Sequence, residues 1–485
     1  MPGLEVRVLT FTIWELGASL LVLSAVFAVA SLIRRQVGLF QDLFLPTSVI
    51  GGFLALIVAP QVMGKVTGGT SFVSPEVAAI WATFPSVLIN VVFASLLLGK
   101  TLPSIRGVWE ASSAHVIFGF LLSFGQYALG ALLALTILVP VFGLAPESTA
   151  LLEISFTGGH GTAAGLAGVW EDVGVPYGTD LGLGLATVGL VAGIVVGSLM
   201  VRRAVKSATM KIAREEPITR AGDDRQPGRL AEYDHQEATV DDSERGLAPL
   251  TSTVMFIGLS IGLGELILQA LRAIERLLTG ESKLMDLMPL FPMTIIGGML
   301  VQFGAVKTGL DQRISRRRVN EVSGAALDVL ILTAVGTMSL AALTANLGAL
   351  VLMAVVAILW SVGAVIFLAP RMFRSRWFEN ALGDFGQSQG TIATGFLLID
   401  MADPKHVTGA TESFGYKQLL FEPFVGGGFI TAMSVPIIHA FGLGAMLVLS
   451  ILATIAMFAI GFRLARKPTA GDAQAETQPS PSPAA

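Results

Sequence analysis

Phe156-Thr157-Gly158-Gly159-His160-Gly161-Thr162 and Phe385-Gly386-Gln387-Ser388-Gln389-Gly390-Thr391 are two polar, glycine-rich strips in a chain that is otherwise largely hydrocarbon. Each opens on Phe and reaches Gly-Thr at the same spacing. Each is flanked by apolar runs long enough to cross a bilayer. Polar, helix-breaking backbone at bilayer depth persists only where protein buries it or where it lines an aqueous cavity. Paired breaks at corresponding places in two halves of a chain point to the binding site of a carrier.

The surrounding composition sets that context. The chain has 485 residues, 53% hydrophobic and 14% charged, against about 25% charged in a soluble domain. Uncharged runs at 77–99, 181–201, 287–306 and 329–370 match the roughly 20 residues a membrane helix needs, and the last is long enough for two. The fold class expected is an all-α polytopic membrane protein. Cysteine is absent, which excludes disulfides, thiolate catalysis and thiolate-held metals. No phosphate-binding Walker loop and no HExxH pattern occurs. Neither ATP-driven pumping nor enzyme chemistry is expected of this chain; no nucleic-acid partner is expected either, and in a membrane protein with clustered charges the net charge of −4 says little about partners.

Spans are expected near 11–33, 43–60, 78–99, 115–143 and 181–202, then near 249–272, 287–306, 324–344, 348–370, 418–436 and 440–463. The segments 150–172 and 380–403 are too short and polar for crossings and read as re-entrant hairpins. Placing the N-terminus outside collects most basic residues on the inner side: Arg34, Arg35, Lys100, Arg106, Arg202, Arg203, Arg316, Arg317, Arg318, Arg371 and Arg374. This gives about eleven spans with a cytoplasmic C-terminus, and hairpins entering from opposite faces. The halves are then inverted repeats. Pro46-Thr47-Ser48-Val49-Ile50-Gly51-Gly52-Phe53-Leu54 and Pro292-Met293-Thr294-Ile295-Ile296-Gly297-Gly298-Met299-Leu300 share P-x-x-x-I-G-G-x-L at the second span of each half. The domains expected are a first repeat at 11–204, a polar cytoplasmic linker at 205–247, a second repeat at 248–440, an added span at 440–464 and a disordered tail at 467–485.

Broken helices expose N–H groups at one half-helix end and carbonyls at the other, suited to an anion and to a cation such as sodium. The candidate substrate- and ion-binding residues are Ser155, Thr157, Gly158, Gly159, His160, Gly161 and Thr162 on one strip. On the other they are Gln387, Ser388, Gln389, Gly390, Thr391 and Thr394. The sodium site falls within the two hairpins, without assigned ligands. Close packing of small residues is the competing reading of either strip alone. His160 either serves substrate or a proton, or holds hairpin carbonyls. Asn90, Asp328 and Glu422 rank lower. Asp328 reads either as an intramembrane carboxylate or as a first-turn acid of a helix that starts near Ser323 and Gly324. Glu422, before Pro423 and Gly426-Gly427-Gly428, suggests a further helix break, and Glu265 also interrupts an apolar span. Glu153, Glu171, Asp172, Asp400 and Asp403 read as wet ends of the hairpins.

Thr157-Gly158-Gly159-His160-Gly161-Thr162-Ala163-Ala164 resembles the Ser-Gly-Gly-His-Gly-Thr-Gly-Ala hairpin of the bacterial sodium/glutamate symporter family. Ala186-Thr187-Val188-Gly189-Leu190-Val191 with Gly193, and Pro46 with Gly51-Gly52, are similar to that family too. The resemblance implies an inverted five-plus-five-span carrier in the bacterial inner membrane. It also implies coupling of sodium entry to uptake of glutamate by alternating access, and a homodimer. The family's second hairpin is richer in glycine and carries Ala-Thr-Pro-Thr-Ala, whereas 387–394 here has no proline, which bears on the substrate. The linker is longer than typical and the eleventh span is an addition. A proton-coupled carboxylate or amino-acid exchanger of the same fold, and less so an ion channel, stay as alternatives.

Overall fold

The computed structural model describes residues 11–100, 104–206 and 249–466, and every regular element among them is helical. The expected linker beyond Lys206 and the tail at 467–485 lie outside the described residues. In lipid the backbone must satisfy its own hydrogen bonds, so apolar runs become helices. The helices used below are α1 (Ile13–Gln36), α2 (Thr47–Val58), α3 (Phe84–Ala94), α4 (Ile105–Leu133), α5 (Leu151–Phe156), α6 (Gly159–Gly165) and α7 (Gly178–Lys206). The second half supplies α8 (Pro249–Thr279), α9 (Phe291–Thr308), α10 (Arg316–Thr337), α11 (Leu347–Gly363), α12 (Trp377–Gln389), α13 (Ile392–Ala402), α14 (Ala410–Phe421) and α15 (Phe429–Arg466). Thr12 and Glu15 close a capping box at the start of α1, satisfying two end donors reciprocally.

Nine helices among the described residues are long and apolar enough to cross a membrane. The expected eleven differ in two places. Helix α9 has 18 residues and carries Gln302 and Lys307 in its second half, which lowers its apolarity. The two C-terminal crossings run together as α15, interrupted at Gly442, where φ is 80°. The span expected at 418–436 is instead divided. Helix α14 stops at Phe421, the chain turns through Pro423 and the three glycines 426–428, and α15 resumes at Phe429. Proline removes a donor and glycine tolerates the turn, with φ of 71° at Gly426 and 110° at Gly427. The span expected at 324–344 starts earlier, at Arg316.

Helix α4 is the central column. Of the nine, the most apolar part of Ile105–Leu138 is the most buried, and the most apolar part of Phe429–Arg466 the most exposed. Leu20, Leu21 and Leu32 on α1, Leu266, Leu277 and Leu278 on α8, and Leu449, Leu452 and Ile455 on α15 point outward, as side chains facing lipid would.

The two P-x-x-x-I-G-G-x-L motifs pack reciprocally. On α2, a methyl placed on Gly52 would lie 2.6 Å from Val335 Cβ of α10. On α9, one placed on Gly298 would lie 2.5 Å from the Ala94 carbonyl oxygen of α3. Each motif therefore lets its helix close onto the third long helix of the other half, and α3 and α10 pack together between them. Both α4 and α11 also continue into a π-helical turn, at Ala134–Leu138 and Ala364–Leu368. A third such turn, Pro60–Gly64 after α2, has no counterpart after α9 among the described residues.

Candidate functional site at the hairpin tips

The first hairpin descends through α5, breaks at Thr157-Gly158 and returns through α6. The second descends through α12, breaks at Gly390-Thr391 and returns through α13. The two breaks touch. Gly159 has φ of 70°, and a methyl there would fall 2.6 Å from the Gly390 carbonyl oxygen. Only glycine meets both the left-handed backbone and the approach of a second chain segment. Helix α7 lies along both tips: Gly189 faces the Gln389 carbonyl and the Phe156 ring, and Gly193 faces the side chains of Gln389 and Thr394. The stretch 186–193 thus forms the wall against which the hairpins close.

Polar side chains join the tips to the scaffold. Gln126 of α4 bridges them: Thr157 Oγ1 donates to Gln126 Oε1 at 2.7 Å, and Gln126 Nε2 donates to the Ser388 carbonyl at 3.0 Å. His160 is buried, with Nε2 2.9 Å from Thr187 Oγ1 on α7. Thr187 already donates to the Leu183 carbonyl, so it accepts from His160 and fixes the proton of a neutral ring on Nε2. The partner of His160 is a hydroxyl on α7, not a hairpin carbonyl. Thr162 Oγ1 lies 2.9 Å from the Gly158 carbonyl and 3.4 Å from that of Gly426. Thr391 caps α13: its hydroxyl accepts from Thr394 N and stands 3.1 Å from the Thr394 hydroxyl. Ser388 Oγ donates to the Phe385 carbonyl. Gly161 packs between Ile89 of α3 and Leu327 of α10.

Two tip residues are left unsatisfied. Gln389 is 0% exposed, and neither its Oε1 nor its Nε2 has a hydrogen-bond partner among the described residues. Ser155 is likewise 0% exposed with an unpartnered hydroxyl. Leaving a buried amide or hydroxyl unpaired costs about 1–3 kcal/mol per group, and such groups are uncommon in native interiors.

The lower-ranked residues do not join the tips. The Asn90 amide donates to the Ser86 and Val87 carbonyls and lines a different cavity of about 270 Å³ with Asp172, Glu265 and Arg272. Asp328 lies inside α10, twelve residues from its start at Arg316, and is exposed; the first-turn reading is corrected because the helix begins well before Ser323. Glu422 caps α14 at the break, in the electrostatic company of Lys100, Lys417 and Arg316.

Two of the expected wet ends are dry. Glu153 is 0% exposed: Tyr127 OH donates to Oε2, while Gly426 N and Thr431 Oγ1 donate to Oε1 at 3.2 and 3.0 Å. Asp403 is buried and accepts from Val407 N, Thr408 N and the Thr408 hydroxyl. In a second buried cluster only Gln387 is among the candidates read from the sequence. Lys417 of α14 donates to Asp384 Oδ1 and Gln387 Oε1 of α12, both at 2.7 Å. His115 of α4 has Nδ1 2.8 Å from Asp384 Oδ2 and Nε2 3.1 Å from Asn380 Oδ1. Its sequence signal is no more than ionisable residues flanked by apolar ones, as in Leu151-Leu152-Glu153-Ile154 at the first hairpin.

A polytopic helical protein whose two broken hairpins meet around unsatisfied buried polar groups has the build of a secondary carrier. The chain belongs to the sodium/glutamate symporter family, whose sequence profile matches residues 13–375. It is similar to the sodium/glutamate symporters of Escherichia coli (strain K12) and Shigella flexneri, each 24% identical over 416 residues that cover 84% of this chain and 92% of the relative. No solved structure matches it. The profile match includes the first hairpin and stops just before the second.

Proposed function

We propose that this protein couples sodium entry to the uptake of glutamate, or of a related small carboxylate or amino acid, by alternating access between the hairpin tips. The observation that carries the reading is Gln389, a wholly buried amide with both halves unpartnered where the hairpins meet. A bound amino acid would supply what the amide lacks: a carboxylate for Nε2 to donate to, and an ammonium or a sodium ion for Oε1. Family membership and the names of the two relatives support sodium and glutamate as the pair transported.

The same reading takes the halves as inverted repeats with eleven crossings, counting α9 and dividing α15 at Gly442. The reciprocal packing of the Gly-Gly motifs and the matched π-helical turns support it. The N-terminus lies outside and the C-terminus inside a bacterial inner membrane, on the distribution of basic residues. The functional unit is a homodimer, as the family resemblance implies. Thr157, His160, Thr162, Ser388, Thr391 and Thr394 line or brace the site, Gly159 and Gly390 let the backbones approach, Gly158 fits against the Ile154 carbonyl and Thr162, and Gly161 leaves room for Ile89 and Leu327.

The test is uptake of radiolabelled L-glutamate into liposomes holding the purified protein, with and without an inward sodium gradient. Saturable uptake that requires sodium is the expected result. Uptake that follows a pH gradient and ignores sodium would replace this reading with the proton-coupled exchanger.

A further inference from the structure

The cluster around Lys417 has the construction of an ion site. The ammonium is 1% exposed and sits between two oxygens, Asp384 Oδ1 and Gln387 Oε1, at 2.7 Å each. Its remaining side faces the Phe421 ring, 3.9 Å from the centroid, with Phe414 at 5.3 Å. The oxygens are themselves held in place. Gln387 Nε2 donates to Gln418 Oε1 at 2.9 Å, and Asp384 Oδ2 is engaged by His115. Space for the cation comes from Gly119 of α4, where a methyl would lie 2.7 Å from Lys417 Nζ. The three elements that build the cradle are α4, α12 and α14, so the ammonium ties the descending limb of the second hairpin to two scaffold helices.

We propose that Asp384 and Gln387, the latter held by Gln418, form a monovalent-cation site that the chain fills with its own tethered ammonium. The descending limb of the second hairpin is thereby held against an internal cation supplied by α14 and takes no sodium at this position. The charge balance explains the arrangement. Breaking a buried ion pair by removing one member leaves the other uncompensated, and that is strongly unfavourable. With the lysine gone, the Asp384 carboxylate keeps only His115, and the oxygens left behind suit a small cation. Glu422, the other acid in the electrostatic reach of Lys417, adds to the negative field at the vacated position. Glu379, also buried on α12, lies in the electrostatic reach of Arg376 and Asp403 instead.

The site can be emptied and refilled. Lys417→Ala removes Cγ, Cδ, Cε and Nζ, the atoms that n-propylammonium would restore. The melting temperature of the purified variant is expected to fall in choline buffer. Adding n-propylammonium, or sodium beyond the shift it gives the wild type, is expected to recover at least half of the loss. Lys417→Met refills the vacated space with an uncharged chain and is expected to gain nothing from n-propylammonium. Lys417→Ala/Asp384→Asn is expected to lose the extra sodium response while keeping that of the wild type. If the single variant does not survive purification, the same comparison is read as the yield of monodisperse protein inserted cell-free into nanodiscs, with and without n-propylammonium. A Lys417→Ala protein indifferent to both cations would overturn the proposal and leave an ordinary buried ion pair. These readouts do not involve transport, so their failure is separate from failure of the carrier reading.

Discussion

At the first hairpin Glu153 is surrounded by neutral donors, the Tyr127 and Thr431 hydroxyls and the Gly426 amide. At the second, Asp384 is clamped between Lys417 and His115. The hairpins share a shape, a break and a common wall in α7, yet they hold their acids by opposite means. A carboxylate held by hydroxyls and an amide can exchange one of them for a cation at small cost. A carboxylate clamped to a buried ammonium cannot let go without stranding two charges in a poor dielectric. On the carrier reading proposed above, the difference fits the first hairpin to exchange an ion and the second to serve as a charged joint to the scaffold.

The comparison breaks most visibly if the clamp is cut. Asp384→Asn leaves the Lys417 ammonium uncompensated and is expected to cost about 3–5 kcal/mol, read as a large fall in melting temperature in detergent. Equal losses for Asp384→Asn and Glu153→Gln would remove the distinction drawn above.

The tips supply the next contrast. Gly159→Ala must adopt a left-handed backbone, at about 1–2 kcal/mol, and also push against the Gly390 carbonyl. Sodium-dependent uptake is expected to drop at least tenfold. Gly390 has φ of −176°, open to any residue, and its methyl would meet Leu190 Cα at 3.1 Å. Gly390→Ala is therefore expected to be the milder change in the same uptake assay, and the reverse order would show that the tips do not meet as described.

Glu153→Gln sharpens the contrast at smaller cost. Its neutral donors can still be used, so stability is expected to fall by only about 1 kcal/mol. The sodium concentration for half-maximal uptake is expected to rise about tenfold, equivalent to 1.4 kcal/mol. An unchanged sodium dependence would show that Glu153 has no part in ion exchange.

How much of this is legible in the sequence follows from what each residue does locally. The hairpins are legible because glycine, threonine and histidine stand out in hydrocarbon, and a backbone break at that depth survives only beside protein or water. The repeat motif is legible because both copies keep the same small residues at the same helical positions. The ion cluster is not. Asp384 sits inside a predicted hairpin and Lys417 beside a predicted span end, where a charge reads as the water boundary. Only the fold shows that α14 is a short buried helix, and that His115 of α4 reaches the same carboxylate. The same default hides Glu153, whose partners Gly426 and Thr431 lie more than 270 residues away. For Asp328 one of the two sequence readings fails. Its neighbours suggest a helix-start acid, but α10 begins at the basic run from Arg316, which a span boundary drawn by hydropathy leaves out.

The smallest expected change in stability gives the most direct test of the site. Gln389→Leu replaces an unsatisfied buried amide with an apolar side chain, which is nearly neutral or stabilising where no partner is lost. Melting temperature and sodium-driven glutamate uptake should be measured on the same preparation. A melting temperature equal to or above that of the wild type, with uptake abolished, is the expected result. A variant that transports at the wild-type rate would contradict the claim that the hairpin tips hold the substrate.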